Sequence, residues 1–321
     1  MQKNRLRLNN LWVNTFVIDD DIMYFVSVWY NILFCMDMNT YTVYEAYNIT
    51  KDSALSKNNV FYMYKKDKGI FLLIGKPKGE VLRFDIENKK IEYISNIEID
   101  GNWGDNADED EEYVYIPIIN QKKIARMSKR DYTFECKDLP IEEKGVSTLC
   151  KDDNKFYVVT VGTARVIELN LKMEVLNVYE NKPKGYKMID SNYPSSGLFY
   201  LNNRVIVFPR YSNMSIICDT SNHKVLQLEN SFENFDYGIG PIIAAAKKNG
   251  NEIIVYMNGL DEWFFYDLDM KCVKRMKMHI NEHVTEKLEN SRLFSGNCTY
   301  LETEKKEIHT LNQFIYSLVN G

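Results

Sequence analysis

Short apolar runs rich in Val, Ile, Tyr and Phe recur along the chain, separated by clusters of Asp, Asn, Lys and Gly. In VIVFPRYSNMSIICDTSNHKVLQLE, from Val205, a first run leads through a proline-bearing corner into a second. An aspartate closes that second run, and a turn opens a third. This punctuation predicts β-strands joined by tight turns rather than helices. The same order of runs and turns starts again at Met23, Ile70, Tyr113, Phe156 and Ile253, which makes six copies.

The closing position of the second run is Asp37, Asp85, Met127, Asn170, Asp219 and Asp267, spaced by 48, 42, 43, 49 and 48 residues. An Asp there accepts hydrogen bonds from backbone amides further on and starts the turn. Met127 has no such acceptor, so the third copy is expected to turn by other means. Another run and a polar turn precede each copy: DDD at 19–21, KDKG at 66–69, DEDEE at 108–112, DDNK at 152–155, NNR at 202–204 and KNGN at 248–251. Four strands per copy make one sheet. A lone four-stranded sheet leaves apolar surface uncovered, so copies must pack face to face, and a ring closes the stack.

In this repeat the chain resembles the β-propeller superfamily, loosely the Kelch, NHL and quinoprotein-like six-bladed propellers. The resemblance covers roughly residues 13 to 280. The recurring Gly-His and Trp-Asp pairs of WD repeats and the Gly-Gly doublets of Kelch repeats are absent, and no family active site maps onto these residues. The expected fold is therefore all-β: a propeller of six four-stranded blades over 1–280, followed by a partly helical extension over 281–321. RLRLNNLWV near the start and NCTYLETE near the end offer strands for a seventh blade or for a clasp that closes the ring. Ile280, Val284 and Leu288 recur at helical spacing and predict a helix around 281–290. Thr310 and Gln313 form a capping box for a second helix, with Leu311, Phe314, Ile315 and Leu318 on one face that packs on the propeller or, alternatively, docks a partner.

Composition narrows the function classes. A net charge of −5 provides no electrostatic footprint for nucleic acid or an anionic membrane, so neither is expected as a partner. The N-terminal residues lack the apolar centre of a signal peptide, and no apolar stretch nears a membrane span. Six cysteines without a CxxC pair are expected to be reduced and mostly buried, and a cytoplasmic location follows.

Candidate chemistry is sparse. HINEH at 279–283 matches the H-x-x-E-H order of inverted zinc proteases, but His279 falls at the end of a strand run, and the family supplies its third ligand well downstream where only 38 residues follow. His223 and His309 have no ligand spacing. DNADEDEE at 105–112 has the carboxylates that calcium takes, without the order of a known calcium loop, and 108–112 is read as a solvated hairpin turn. Neither a nucleophile elbow nor a glycine-rich phosphate loop occurs. No metal or cofactor is expected.

Topology indicates where a site would form. Segments leading into the inner strands (102–106, 191–197, 236–241) and corners between second and third strands (28–31, 75–79, 209–213) gather at one mouth of the ring. They bring Trp29, Trp103, Tyr193, Tyr211 and Tyr237 as stacking surfaces, with Lys76, Asp105, Asn106, Arg210 and Asp236 as polar handles. An aromatic and polar mouth suits a protein, peptide or glycan-bearing partner. The expectation is a non-enzymatic binding or scaffold propeller. The alternative is a lyase or hydrolase acting on a sugar or modified peptide, with Asp105, Asp236 or Arg210 near the axis.

Overall fold

The computed structural model describes residues 13–27, 32–49, 60–75, 79–104, 106–188, 191–210, 212, 214–226, 243–257, 262–267 and 271–289. The described strands form six four-stranded antiparallel blades, each from a continuous stretch of sequence. Blade 1 contains Val13–Asp19, Ile22–Ser27, Ile32–Asp37 and Thr42–Asn48; blade 2 contains Val60–Lys66, Gly69–Ile74, Glu80–Asp85 and Lys90–Asn96. Blade 3 contains Asp108–Glu109, Tyr113–Pro117, Lys123–Ser128 and Phe134–Asp138; blade 4 contains Val146–Lys151, Lys155–Thr160, Val166–Asn170 and Val175–Tyr179. Blade 5 contains Ser195–Leu201, Arg204–Pro209, Ile216–Asp219 and Lys224–Leu226; blade 6 contains Ile243–Asn249, Glu252–Met257, Glu262–Tyr266 and Cys272–Lys277. The first strand of each blade lies innermost in the ring.

The turns follow from their residues. Two-residue hairpins after the inner strands need positive φ, supplied by Asp20 (52°), Asp67 (53°), Asn202 (49°), Asn203 (60°) and Gly250 (57°). Blades 3 and 4 use an aspartate instead: Asp110 Oδ1 accepts the amides of Glu112 (3.0 Å) and Tyr113 (2.8 Å), and Asp152 Oδ1 those of Asn154 (2.8 Å) and Lys155 (2.7 Å). After the third strands, Asp37, Asp85, Asn170 and Asp219 each accept two backbone amides through Oδ1, and Asp267 accepts that of Lys271. The third blade turns by the same route, not by other means, because the position equivalent to the aspartates is the next residue, Ser128. Ser128, one residue beyond Met127, accepts the amides of Arg130 (3.3 Å) and Asp131 (3.4 Å) through Oγ.

Alternating apolar positions produce six cores, each shared by two consecutive blades. The core between blades 6 and 1 closes the ring, with Trp263 fully buried and its ring 5.1 Å from that of Phe16, edge to face. A clasp reinforces this closure. His279–Ile280 adds a parallel strand outside Thr42–Asn48, and the helix Glu282–Glu289 follows. Asn281 caps it, accepting the amide of His283 on Oδ1 at 3.1 Å, and Val284 is buried in the closing core. The H-x-x-E-H order therefore splits: His279 is on a strand and His283 on the helix, both exposed, so they do not share a helical face.

Of the cysteines, Cys35, Cys150 and Cys218 are buried, whereas Cys136 and Cys272 lie on outermost strands and are exposed. Five are free thiols, and Cys298 lies outside the described residues. Of the segments proposed for a seventh blade, 5–13 and 297–304, Val13 begins blade 1 and the rest lie outside them, as does the second helix at 310–318.

Candidate functional site

Inner strands have one edge without a neighbouring strand, and polar side chains cross from blade to blade to meet it. Asn14 donates to the Val60 carbonyl (2.6 Å), and the Thr148 and Ser195 hydroxyls share a bond of 2.7 Å. Lys247 Nζ donates to the Met63 carbonyl at 2.9 Å. These contacts satisfy backbone and side-chain groups that water would otherwise have to reach.

A cavity of about 460 Å³ opens in this channel, lined by Tyr62, Asn106, Asp108, Glu109, Lys151, Tyr200, Lys247 and Lys248 together with apolar residues of blades 3 to 5. Most of these residues lie near the ends of inner strands, where the chain turns into the second strand. We call this the trailing mouth. The described parts of the segments expected to build a site, 102–104 and 191–194, precede the inner strands and lie towards the opposite, leading mouth, whereas Asn106 reaches the cavity.

The acidic stretch of blade 3 builds much of the trailing mouth, which corrects its reading as a solvated turn. Asp108 and Glu109 form the inner strand itself, and only Asp110 to Glu112 make the turn. The inner strand here is two residues long, and its acids stand where blade 4 has Cys150 and Lys151. Asp108 accepts the Glu109 amide on Oδ1 (2.9 Å) and the Lys151 amide on Oδ2 (2.7 Å). Burial, reinforced by the charge of Glu109, outweighs those bonds and pushes its carboxyl up to about 6.

Glu109 lies among cations. Lys129 Nζ is 2.6 Å from Oε2, and Lys247 Nζ is 3.9 Å from Oε1 and 4.7 Å from the Tyr62 ring centroid. Burial holds the Lys247 ammonium below the usual lysine range, although Glu109 and Asp108 pull the other way. Lys151 pairs with Asp110 at 3.3 Å. In one cavity an acid is shifted up and an amine down, burial disfavouring the charged form of each, and perturbed groups of this kind concentrate at functional sites.

Four of the ten site residues proposed from sequence lie among the described residues. Asn106 lines the cavity and bridges to Thr148. Trp103 packs edge to face on Phe61, with centroids 4.2 Å apart, against the core of blades 2 and 3. Arg210 sets its guanidinium 5.5 Å from the Tyr193 ring centroid, so these two do come together. Trp29, Lys76, Asp105, Tyr211, Asp236 and Tyr237 lie outside the described residues. Sequence reasoning missed Asp108, Glu109, Lys247 and Tyr62. The available signal was that the third copy, alone, lacks an apolar first run.

These features define a six-bladed β-propeller. No protein-family model and no curated protein matches the chain. Among solved structures, it is similar to virginiamycin B lyase from Staphylococcus aureus at 11% identity and a TM-score of 0.57, over 85% of this chain and 88% of that one. The computationally designed Ika8 protein matches at 10% identity and 0.52, over 83% and 87%. PorZ, a surface component of the type-IX secretion system of Porphyromonas gingivalis, matches at 10% and 0.52, over 84% of this chain and 33% of PorZ. A lyase, a designed ring and a secretion component share the architecture, so the likeness carries fold and not activity.

Proposed function

We propose that this chain is a binding propeller that recognises a protein, peptide or glycan-bearing partner through its channel, with the trailing mouth as the principal contact. The fold supports a binding or scaffold role in general. The observation that carries the assignment to this mouth is the pair Glu109 and Lys247, charged groups drawn from opposite blades into a cavity of about 460 Å³. Desolvating such groups opposes folding, and the chain keeps them where a ligand has room to enter. Trp103, Tyr193 and Arg210 are assigned a secondary contact at the leading mouth.

Affinity capture from a lysate of the source organism tests this reading, using wild type, Lys247→Met and Arg210→Ala proteins of matched thermal stability. A partner retained by wild type and lost with Lys247→Met supports the trailing mouth. Loss only with Arg210→Ala moves the site to the leading mouth, and equal retention by all three removes both.

The opposed shifts of Asp108 and Lys247 favour one second reading, a lyase or hydrolase with these groups as acid and base. A captured peptide or glycan that wild type alters and Asp108→Asn leaves intact would establish it.

A further inference from the structure

Three lysines, Lys151, Lys247 and Lys248, line the cavity at the trailing mouth beside two carboxylates, Asp108 and Glu109. The sequence has 45 acidic and 40 basic residues. Yet lysines from four blades converge here: Lys66 from blade 2, Lys129 from blade 3, Lys151 from blade 4, and Lys247 and Lys248 from blade 6. Lys66 donates to the Lys129 carbonyl at 2.8 Å, which draws the second and third blades' lysines together.

The carboxylates that meet these lysines are already engaged. Glu109 holds Lys129 at 2.6 Å. Asp110 holds Lys151 at 3.3 Å while it fixes its own turn. Asp108 accepts two backbone amides, and burial leaves its carboxyl partly neutral near pH 6. Two ammonium groups then remain short of opposite charge. Lys248 is exposed and has no ion pair among the described residues. Lys247 has a carbonyl at 2.9 Å and a tyrosine face, but its nearest carboxylate oxygen stands at 3.9 Å, beyond hydrogen-bond reach.

We propose that the trailing mouth holds an anionic oxygen group of its ligand, a carboxylate or a phosphate, within reach of Lys247 and Lys248, with Tyr62 and Tyr200 as walls. The inference rests on the binding role assigned above to the same cavity. An oxyanion there supplies the charge-assisted acceptors that Lys247 and Lys248 lack, and such bonds are about twice as strong as neutral ones. Tyr200 is suited to act as a wall because its ring stacks on Tyr157, with centroids 5.3 Å apart, and its hydroxyl donates to Asn203 at 3.1 Å.

The test is calorimetric titration of the full chain with inorganic phosphate and with succinate, against sodium chloride at equal ionic strength. Saturable one-to-one binding of either anion is expected, and the arm that saturates identifies phosphate or carboxylate as the preferred group. Lys247→Met and Lys248→Met should each lower the affinity about tenfold, the scale of one lost charge-assisted bond. Lys248 is exposed, so its substitution reports on binding without disturbing the fold. Absence of saturation by both anions, or affinity unchanged in both variants, overturns the proposal. A captured partner that phosphate and succinate fail to displace leaves the binding role standing and ends the anion assignment. Anion binding with capture indifferent to Lys247 ends the binding role and leaves the assignment standing.

Discussion

Lys247 of blade 6 stands 3.9 Å from Glu109 of blade 3, although these two blades face each other across a six-membered ring. The lysine therefore spans the channel axis, and its donation to the Met63 carbonyl ties blade 2 into the same contact. A side chain that reaches across a channel narrows it and presents charge to whatever enters. Packing of the blades does not require this, because six apolar cores already join each blade to the next.

The two members of this contact should respond differently to substitution. Glu109→Gln removes the counter-charge of Lys129 and leaves Lys247 worse compensated, so it should cost about 1–3 kcal/mol in chemical denaturation. Lys247→Met keeps the packing on Tyr62 and removes a desolvated charge, so its stability should stay within about 1 kcal/mol of wild type. Equal large losses would show that the contact serves the fold.

Binding of an anion should weaken as pH rises through about 6. Asp108 is neutral below that value and charged above it, and the added negative charge opposes an anion in the same cavity. Glu109, Lys151 and Lys247 face it, while Tyr62 and Cys150 are pushed by burial far above this range. Stability follows the same sign. The folded state holds this proton up to about pH 6 and the unfolded state only to about 4, so the contribution of Asp108 falls between those values. Asp108→Asn should flatten both profiles, measured as affinity and as melting temperature from about pH 4 to about pH 7.5.

The turn aspartates set the acid limb. Hydrogen bonds from Thr40, Asn88 and Asn222 are the leading causes that hold Asp37, Asp85 and Asp219 below the usual carboxylate range. Their contribution is complete above about pH 4, where the unfolded groups are ionised, and is lost as pH falls through the lower folded values. Replacing all three with Asn, which already serves at Asn170, should reduce the loss of stability between about pH 4 and pH 2. An unchanged acid midpoint would place acid sensitivity elsewhere.

Closure should depend on the core between blades 6 and 1. Trp263 is fully buried among Phe16, Phe25 and Tyr256, and Trp263→Ala should cost about 3–5 kcal/mol. Val284→Ala, in the clasp helix, should cost about 1–3 kcal/mol through the same core. If the helix variant proves silent, the clasp is an ornament and the core between blades 6 and 1 closes the ring alone.

Blade number and turn chemistry were legible because each depends on nearby residues: alternating apolar positions, then Asp, Asn or Gly where the backbone must turn. The third copy was misaligned by one residue because Ser128 replaces the aspartate and its backbone bonds look the same only in three dimensions. The trailing mouth was hidden for a different reason. An acidic inner strand two residues long resembles a turn, and Lys247 meets partners 138 and 184 positions away that no local pattern announces. At the leading mouth, the pairing of Arg210 with Tyr193 was within reach of topology, whereas the packing of Trp103 on Phe61 was not.

The most direct measurement places a photo-crosslinking amino acid at Tyr200, inside the cavity, or at Tyr93, exposed on the outermost strand of blade 2, and identifies what each captures. The account predicts a partner crosslinked from position 200, competed by free ligand or partner and absent from position 93. Crosslinks from position 93 alone, or from neither position while the partner still binds, would contradict the assignment of function to the channel.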